Sequence, residues 1–201
     1  MKRKRRKKKS GGIKKLFFLL ILVGIGIGLL SLFRQEISRF AKPWLEKRGF
    51  LEEKREVTLY FSEHEAEYLV GEKRKITKRK NMEAEAEELF QELIQGPRGK
   101  LVATLPPKTE LLSFQIDGKG IGRVNFNKAF SRDHPGGSSA EMMTVYSVVN
   151  SLALNFPEVK GVQFLVEGEE IESIAGHLSL RHPISPKPDL IKNRRKEGNK
   201  K

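Results

Sequence analysis

Residues 16–33, LFFLLILVGIGIGLLSLF, form an uncharged run that directly follows a block of cations. At 1.5 Å rise per residue, a helix of this length spans about 27 Å, close to the ~30 Å hydrocarbon core of a bilayer. Residues 1–15 contain ten lysines and arginines and no acidic residue, and short positive flanks stay on the cytoplasmic side. The sequence therefore predicts one transmembrane helix at 16–33. It places the basic segment 1–15 in the cytoplasm and the rest of the chain outside it.

A cleaved signal peptide is the alternative interpretation of the same run. Its apolar region is usually shorter, and a small-x-small cleavage site should follow it. Here Phe33, Arg34 and Gln35 follow, and the chain has no cysteine that could form a lipobox. These features favour an uncleaved signal anchor in the cytoplasmic membrane. Gly24 and Gly28 form a GxxxG pair, which can bring two such helices together.

Charge is unevenly distributed along the chain. The net charge is +14, but residues 1–15 carry +10 and residues 186–201 carry +5, whereas residues 57–185 carry −3. Topology and attraction to anionic lipid explain the N-terminal cations. Because the central part is slightly acidic, the overall basicity does not indicate a nucleic-acid-binding domain, and no nucleic-acid partner is expected.

Composition divides the remainder into three parts. Residues 34–56 mix charges with proline and glycine, which is typical of a stalk. Residues 57–184 are long enough for one domain with a single core. Residues 185–201 are basic and poor in apolar residues, which predicts a disordered tail.

Residue periodicity predicts the first half of the domain. Residues 57–61 alternate as in a strand, and residues 68–70 form a second short extended stretch. Six cations in residues 73–80 then indicate a solvated loop or a hairpin arm. Residues 82–94 have helical apolar spacing, with Asn81 as a cap and an acidic outer face that we expect to be solvated.

The second half predicts a hairpin, a helix and a strand. Residues 112–116 and 124–126 alternate around an Asp117-Gly118 turn. Ser138 and Glu141 have the spacing of a capping box at the start of a helix that ends before Pro157. A strand at 162–166 and a weaker extended segment at 171–180 follow. The order predicts an α+β two-layer sandwich, with two amphipathic helices on one small mixed or antiparallel sheet of three or four strands.

Four histidines are the first candidates for chemistry: His64, His134, His177 and His182. None lies in a recognisable zinc-ligand pattern, and the absence of cysteine excludes thiol catalysis. We therefore expect no metal site and no cofactor.

Two acidic or glycine-rich segments are further candidates. Residues 133–139, DHPGGSS, could hold an anion or a nucleophile at a helix N-terminus. The spacing matches neither a P-loop nor a nucleophile elbow, and turn and cap roles account for the residues. Glu169 and Glu170 could mimic a hydrolase pair, but beside Gly168 they fit a polar turn. We predict no catalytic residue and no small-molecule substrate.

The order of several segments resembles the GerMN domain family of spore-germination proteins. The similar segments are VTLYFS at 57–62, AEELFQELIQGP at 86–97, the section at 105–130, the section beginning SSAEMMTVYSVVNSLALNFP at 138–170, and GHLSLRHPI at 176–184. The resemblance implies a small α/β module similar to ring-building motifs, carried outside the cytoplasmic membrane on an anchor. It implies no catalytic residue.

These observations predict a single-pass membrane protein that presents one interaction domain to envelope proteins or to copies of itself. An enzyme acting on cell-wall polymer, or a protein that binds such a polymer, is the rival hypothesis. Binding of nucleic acid through the basic segments is a third, and the predicted topology argues against it.

Overall fold

The computed structural model describes residues 20–21 and 52–192. Within them, no helix combines the length and apolar character that a bilayer crossing requires. Leu20 and Ile21 are helical. The rest of the predicted span at 16–33, the segment 1–15 and most of the predicted stalk and tail lie outside the described residues. All the elements named below belong to the compact unit Glu53–Lys201.

Six strands and three helices make up the part of this unit that the structure describes, residues 53–192. They are β1 (Lys54–Ser62), β2 (Leu69–Thr77), α1 (Met82–Ile94), β3 (Leu111–Ile116), β4 (Ile121–Phe126), α2 (Ala129–Arg132), α3 (Ser138–Ala153), β5 (Gly161–Val166) and β6 (Glu169–Glu170), followed by a 3-10 turn at Pro188–Leu190. The predicted α+β class is confirmed, and both long helices lie where the periodicity predicted them. β1 begins inside the predicted stalk, and the 3-10 turn lies inside the predicted tail.

The strands form two sheets rather than the single sheet predicted. β1 and β2 make an antiparallel two-stranded sheet, and the other four strands form a mixed sheet in the order β3-β4-β5-β6. β4 and β5 are parallel, and the other neighbours in that sheet are antiparallel. The prediction of one sheet was wrong because β1 bonds on its outer side to side chains of α3 and of the turn after it instead of to another strand.

Local sequence explains where α1 and the β3–β4 hairpin begin and end. The Asn81 side chain accepts a hydrogen bond from the Glu83 N–H at 2.7 Å, as predicted for the α1 cap. Gly96, at φ +82°, lets the chain leave the helix. In the hairpin, the Asp117 carboxylate accepts from the N–H groups of Lys119 and Ile121, so the predicted turn is confirmed.

One continuous apolar core takes side chains from both sheets and both long helices. A row of phenylalanine rings runs through it: Phe90 meets Phe126 edge-on at 6.0 Å, Phe126 stacks on Phe130 at 4.5 Å, and Phe130 stacks on Phe164 at 6.0 Å. These rings come from α1, β4, α2 and β5, so the row ties the helices to the four-stranded sheet. Such contacts add about 0.5–1.5 kcal/mol each beyond burial.

The segment predicted as weakly extended at 171–180 is not a strand. It is an irregular stretch that covers the face of β5 opposite the phenylalanine row. Gln163, which points to that face, is buried and donates to the Leu180 carbonyl at 3.0 Å. Backbone groups in an irregular segment need other partners, and an α3 side chain supplies several of them, as described below.

Candidate functional site

The N-terminal end of α3 borders a cleft of about 450 Å³ that two of the candidate side chains, His64 and Asp133, line. Its walls come from the loop after β1, from the segment 102–107 and from α3. Apolar residues dominate the lining, among them Val102, Leu105 and Met143, and His64 and Asp133 also contribute to it. The cleft therefore offers an apolar surface with a few polar groups, the usual character of a binding pocket.

His134 stands beside this region and has a partner on each ring nitrogen. Its Nδ1 accepts from the Gly136 N–H at 3.0 Å, so the neutral ring carries its proton on Nε2 and donates to the Thr144 hydroxyl, also at 3.0 Å. Thr144 in turn donates to the Thr104 carbonyl at 2.6 Å. Burial lowers the pKa of His134 below its ordinary value, against the attraction of the Glu141 charge. With both nitrogens engaged, the imidazole connects α3 to its neighbours and has no free lone pair for a general base.

Glu141 corrects the prediction of a capping box. The N-cap of α3 is Gly137, at φ 87°, and no side chain caps the helix. The Glu141 carboxylate points away from the cap and accepts from the backbone N–H groups of Ile174 and His177 at 2.8 Å and of Ala175 at 3.0 Å. It is fully buried, and it organises the irregular segment that covers β5.

The ionisation of Glu141 follows from these contacts. Burial by itself would raise the pKa of the carboxyl, but the N–H groups of Ala175, His177, Ile174 and Leu178 bind the charged form. The net result is a pKa below the ordinary value of glutamate. Hydrogen bonds to the charged form favour ionisation, and here they outweigh the cost of burial.

Asp133 pairs with its neighbour. Arg132 Nε and Nη2 donate to the two oxygens of the Asp133 carboxylate at 2.6 and 2.8 Å, and this hydrogen bonding keeps the pKa of the carboxyl below its usual range. Glycines at 136 and 137, both at positive φ, make the turn before α3. The turn role predicted for residues 133–139 is confirmed, whereas the cap role predicted for Ser138 is wrong because Ser138 lies inside the helix.

The remaining candidates do not join this site. Glu169 and Glu170 form the short strand β6, and the turn before it consists of Glu167 and Gly168, both at positive φ. The polar turn is thus displaced by two residues from the predicted position. Glu170 pairs with Arg123 at the surface, and His182 is exposed. In residues 52–192, no three metal-binding side chains are grouped as a cation site would require.

Sequence reasoning missed a ladder of neutral polar side chains on α3 and the turn after it. The Asn155 side chain accepts from the Thr58 N–H and donates to the Thr58 carbonyl. Two residues further along β1, Ser151 accepts from the Tyr60 N–H and Ser147 donates to the Tyr60 carbonyl. The signal was present, because the three polar residues recur every four positions, two of them on α3 and Asn155 just after it.

Sequence reasoning also missed the contacts of the cationic segment at 73–80. Its first part belongs to β2, so the hairpin-arm alternative is confirmed and the loop is not. Arg74 is buried, with its guanidinium 2.8 Å from Glu72, 3.0 Å from Glu92 and 2.9 Å from the Gly96 carbonyl. The acidic face of α1 is therefore not simply solvated, since Glu92 pairs with Arg74 and Glu88 accepts from the Thr77 N–H.

A family comparison identifies the domain that these elements form. The family described as "Germane: Sporulation and spore germination" matches residues 58–172, more than half of the chain. The chain belongs to this family. The resemblance to GerMN domains seen in the sequence is confirmed, and the family links this domain type to sporulation and germination.

Solved structures share the fold. The first GerMN domain of the sporulation protein GerM from Bacillus subtilis is 20% identical with a TM-score of 0.54, and the match covers 65% of this chain and 97% of that one. The tandem GerMN domains of the same protein are 19% identical with a TM-score of 0.52, covering 68% of this chain and 48% of that one.

A putative lipoprotein from Clostridium perfringens is 26% identical with a TM-score of 0.49, and the match covers 70% of this chain and 95% of that one. No curated protein matches the chain.

Proposed function

We propose that this chain is a membrane-anchored interaction module whose Germane domain works outside the cytoplasm. It would contribute to an envelope assembly of the kind used in sporulation or germination, by binding other envelope proteins or copies of itself. The match to the Germane family over residues 58–172 is the observation that carries the proposal. The apolar, uncharged run at 16–33 and its cationic flank support the anchor.

The contacts of the polar candidates are also in keeping with a binding role. Both ring nitrogens of His134, the carboxylate of Glu141 and the carboxylate of Asp133 are engaged with backbone or neighbouring side chains. A general acid or base must reach the substrate atom that exchanges a proton. In this domain the same groups stabilise the turn before α3 and the segment over β5.

Site-specific crosslinking in cells tests the interaction role. A photoreactive residue is placed at one exposed position at a time; Tyr68, Val102, Leu112 and Leu154 are suitable because their side chains are large, apolar and exposed. We expect a crosslink to an envelope protein, or to a second copy, from some of these positions but not from all. A chain that stays monomeric and gives no crosslink from any position would contradict the proposal.

The topology needs its own test. A reporter enzyme that works only outside the cytoplasm, fused after Lys201, should be active. Activity confined to a cytoplasmic reporter at the same position would overturn the predicted orientation.

The cleft beside α3 favours a second candidate, the binding of a cell-wall polymer. Its wall combines apolar surface with His64, Glu63 and Asp133, groups that can hydrogen-bond to sugars. Under this alternative, His64→Ala and Asp133→Ala would abolish retention on purified cell wall, while circular dichroism shows that both variants remain folded. Under the leading proposal, neither variant changes the crosslinking pattern.

A further inference from the structure

The two edges of the β1–β2 sheet differ. On the β1 edge, Thr58 and Tyr60 direct their N–H and C=O groups away from β2, and side chains of α3 and of Asn155 in the turn after it satisfy all four groups. That edge is closed to any further strand. An exposed strand edge is a template for pairing with another chain, so the condition of the opposite edge matters.

The register shows which groups of β2 point outward. Thr58 lies opposite Lys73, and Tyr60 lies opposite Gly71. In an antiparallel pair, residues directly opposite each other either both bond across the ladder or both point away. The N–H and C=O groups of Thr58 and Tyr60 point away from β2, so those of Lys73 and Gly71 point away from β1. Because pairing alternates along a strand, the N–H and C=O groups of Lys75 also point away from β1.

Among residues 52–192, no strand pairs with the outward groups of these three residues, which we call the β2 edge (Gly71, Lys73 and Lys75). All three residues are exposed. Gly71 has no side chain, so its exposed surface is backbone. The Lys192 N–H bonds to the Leu69 carbonyl at the start of the strand, and Glu88 accepts from the Thr77 N–H at its end. Both ends are therefore occupied, and the β2 edge between them runs over residues 71–75.

Glycine at position 71 keeps the β2 edge accessible and flat. A Cβ there would lie 2.8 Å from Thr58 Cγ2 and 3.4 Å from the Tyr60 ring, since the ring of the opposite residue packs over the glycine. Packing of the Tyr60 ring across the strands stabilises the hairpin at Gly71, which has no side chain of its own.

Charge selects the occupant of the β2 edge. The Lys73 side chain is 73% exposed, although its amine reaches Glu56 at 2.7 Å, and Lys75 is exposed beside it. Antiparallel pairing of two β2 edges would place these lysines against the lysines of the second copy, which is destabilising. Continuing the Leu69–Ile191 parallel bridge along the strand would place Arg195 beside Lys73 and Glu197 beside Lys75, so this chain's own segment would oppose one lysine and match the other. An acidic extended segment meets no such repulsion.

We propose that the β2 edge docks an extended, acidic segment of a partner protein by strand addition, with carboxylates that meet Lys73 and Lys75. Main-chain hydrogen bonds supply affinity and the lysines supply selectivity, as in other edge-strand recognition. This inference rests on the proposed interaction function and names the surface and the chemistry of the partner.

A matched pair of variants separates strand pairing from attraction by charge. Lys73→Ala removes the amine and keeps the outward N–H. Lys73→Pro removes both, and proline is tolerated on an edge strand whose N–H faces solvent. The probe is a capped peptide, Thr-Glu-Val-Glu-Val-Glu-Thr, titrated into full-length protein in detergent micelles. A peptide with lysine at each glutamate is the control.

The expected result is binding of the acidic peptide and not of the lysine peptide. Lys73→Ala should weaken binding about threefold, and Lys73→Pro a further ~5- to 10-fold through the lost backbone hydrogen bond. Equal weakening by both variants would overturn strand addition in favour of charge alone, which anionic vesicles would then reproduce. Thermal unfolding of both variants confirms that the hairpin remains intact.

Amide hydrogen exchange provides a second measurement that does not depend on a variant. In the free protein, the amides of Gly71, Lys73 and Lys75 should exchange quickly, and those of Glu72 and Arg74 slowly. The peptide should slow the first three only. Slow exchange of all five in the free protein would mean that the edge is already covered, which contradicts the proposal.

Failure of this proposal is distinguishable from failure of the proposed function. If the peptide does not bind but crosslinks to envelope proteins still form, the β2 edge is not the docking surface and the interaction role stands. If the peptide binds and no crosslink forms in cells, the edge is competent and the proposed assembly role fails.

Discussion

The two long helices attach the β1–β2 hairpin to the rest of the domain by different chemistry. α1 contacts the hairpin through charge: Glu92 binds the buried Arg74, and Glu85 binds Arg55 at 2.7 Å. α3 and the turn after it contact β1 through neutral hydroxyl and amide groups. The difference follows from what each helix faces. α1 meets charged side chains of the hairpin and, at the end of β2, the Thr77 N–H, whereas α3 meets the bare backbone of the β1 edge.

This comparison shows two solutions to the burial of polar groups. A buried charge needs an opposite charge, as Arg74 has, or several hydrogen bonds to its charged form, as Glu141 has. A buried backbone edge needs only a donor or an acceptor at each position, which serine and asparagine supply. Removing one partner of a buried charge therefore costs much stability. Removing one polar side chain from the strand edge costs about one hydrogen bond at a time.

The largest expected effect on stability concerns the charged contacts between α1 and the hairpin. Arg74→Ala should lower the free energy of unfolding by about 4 kcal/mol, because it leaves Glu72 and Glu92 without their buried partner and removes a guanidinium packed 5.9 Å from the Phe61 ring. Chemical denaturation measures this loss. Arg98→Ala is the control, since Arg98 binds the same Glu92 from an exposed position and should cost less than ~1 kcal/mol. Similar losses for both variants would contradict the distinction.

A variant of Glu141 tests whether α3 holds its neighbouring segments through neutral side chains alone or also through a charged one. Glu141→Ala should cost about 3 kcal/mol, because three backbone N–H groups in residues 174–177 lose a buried charged acceptor. A helix cap would account for only about 1 kcal/mol. A loss near the smaller value, with unchanged amide exchange at Ile174 and His177, would restore the capping interpretation.

The same carboxylate predicts a dependence of stability on pH. Its pKa is lowered in the folded state, so the unfolded chain takes up the proton first as the pH falls. The contribution of Glu141 is therefore complete above the ordinary glutamate pKa of about 4.3 and is lost below it, as the pH falls through the folded pKa. Glu141→Gln should flatten the stability profile in that range, as measured by denaturation at a series of pH values. A profile identical to that of the natural chain would refute this assignment.

A smaller effect on stability is expected for the neutral contacts between β1 and the turn after α3. Asn155→Ala should cost about 2 kcal/mol, because it leaves the N–H and C=O groups of Thr58 without partners. The exposed neighbour Leu154 serves as the control, and Leu154→Ala should cost less than ~1 kcal/mol. If the Asn155 variant exceeded the Arg74 variant in cost, neutral contacts would dominate the attachment of the hairpin.

The smallest expected effect concerns Ser138. Ser138→Ala should change the free energy of unfolding by less than ~0.5 kcal/mol, because Gly137 occupies the N-cap position and no side chain caps α3. Thermal unfolding is sensitive enough for this comparison. A loss of about 1 kcal/mol would indicate that the serine does cap the helix in solution.

The sequence by itself determined the elements whose signals are local. The 3.6-residue spacing located α1 and α3, the Asn81 cap began α1, and the Asp117-Gly118 pair made the β3–β4 turn. The order of the family segments identified the domain type. These signals need only neighbours in the chain, and so they survive without knowledge of the fold.

Only the tertiary structure decided the partners of the polar residues. Glu141 has the spacing of a cap, yet it bonds to backbone groups more than thirty residues away, and Arg74 sits in a cationic run, yet it is buried. The division of the strands into two sheets has the same origin, since it depends on α3 lying along β1. A long-range hydrogen bond depends on where the whole chain places its donor and acceptor, and no spacing within one segment contains that information.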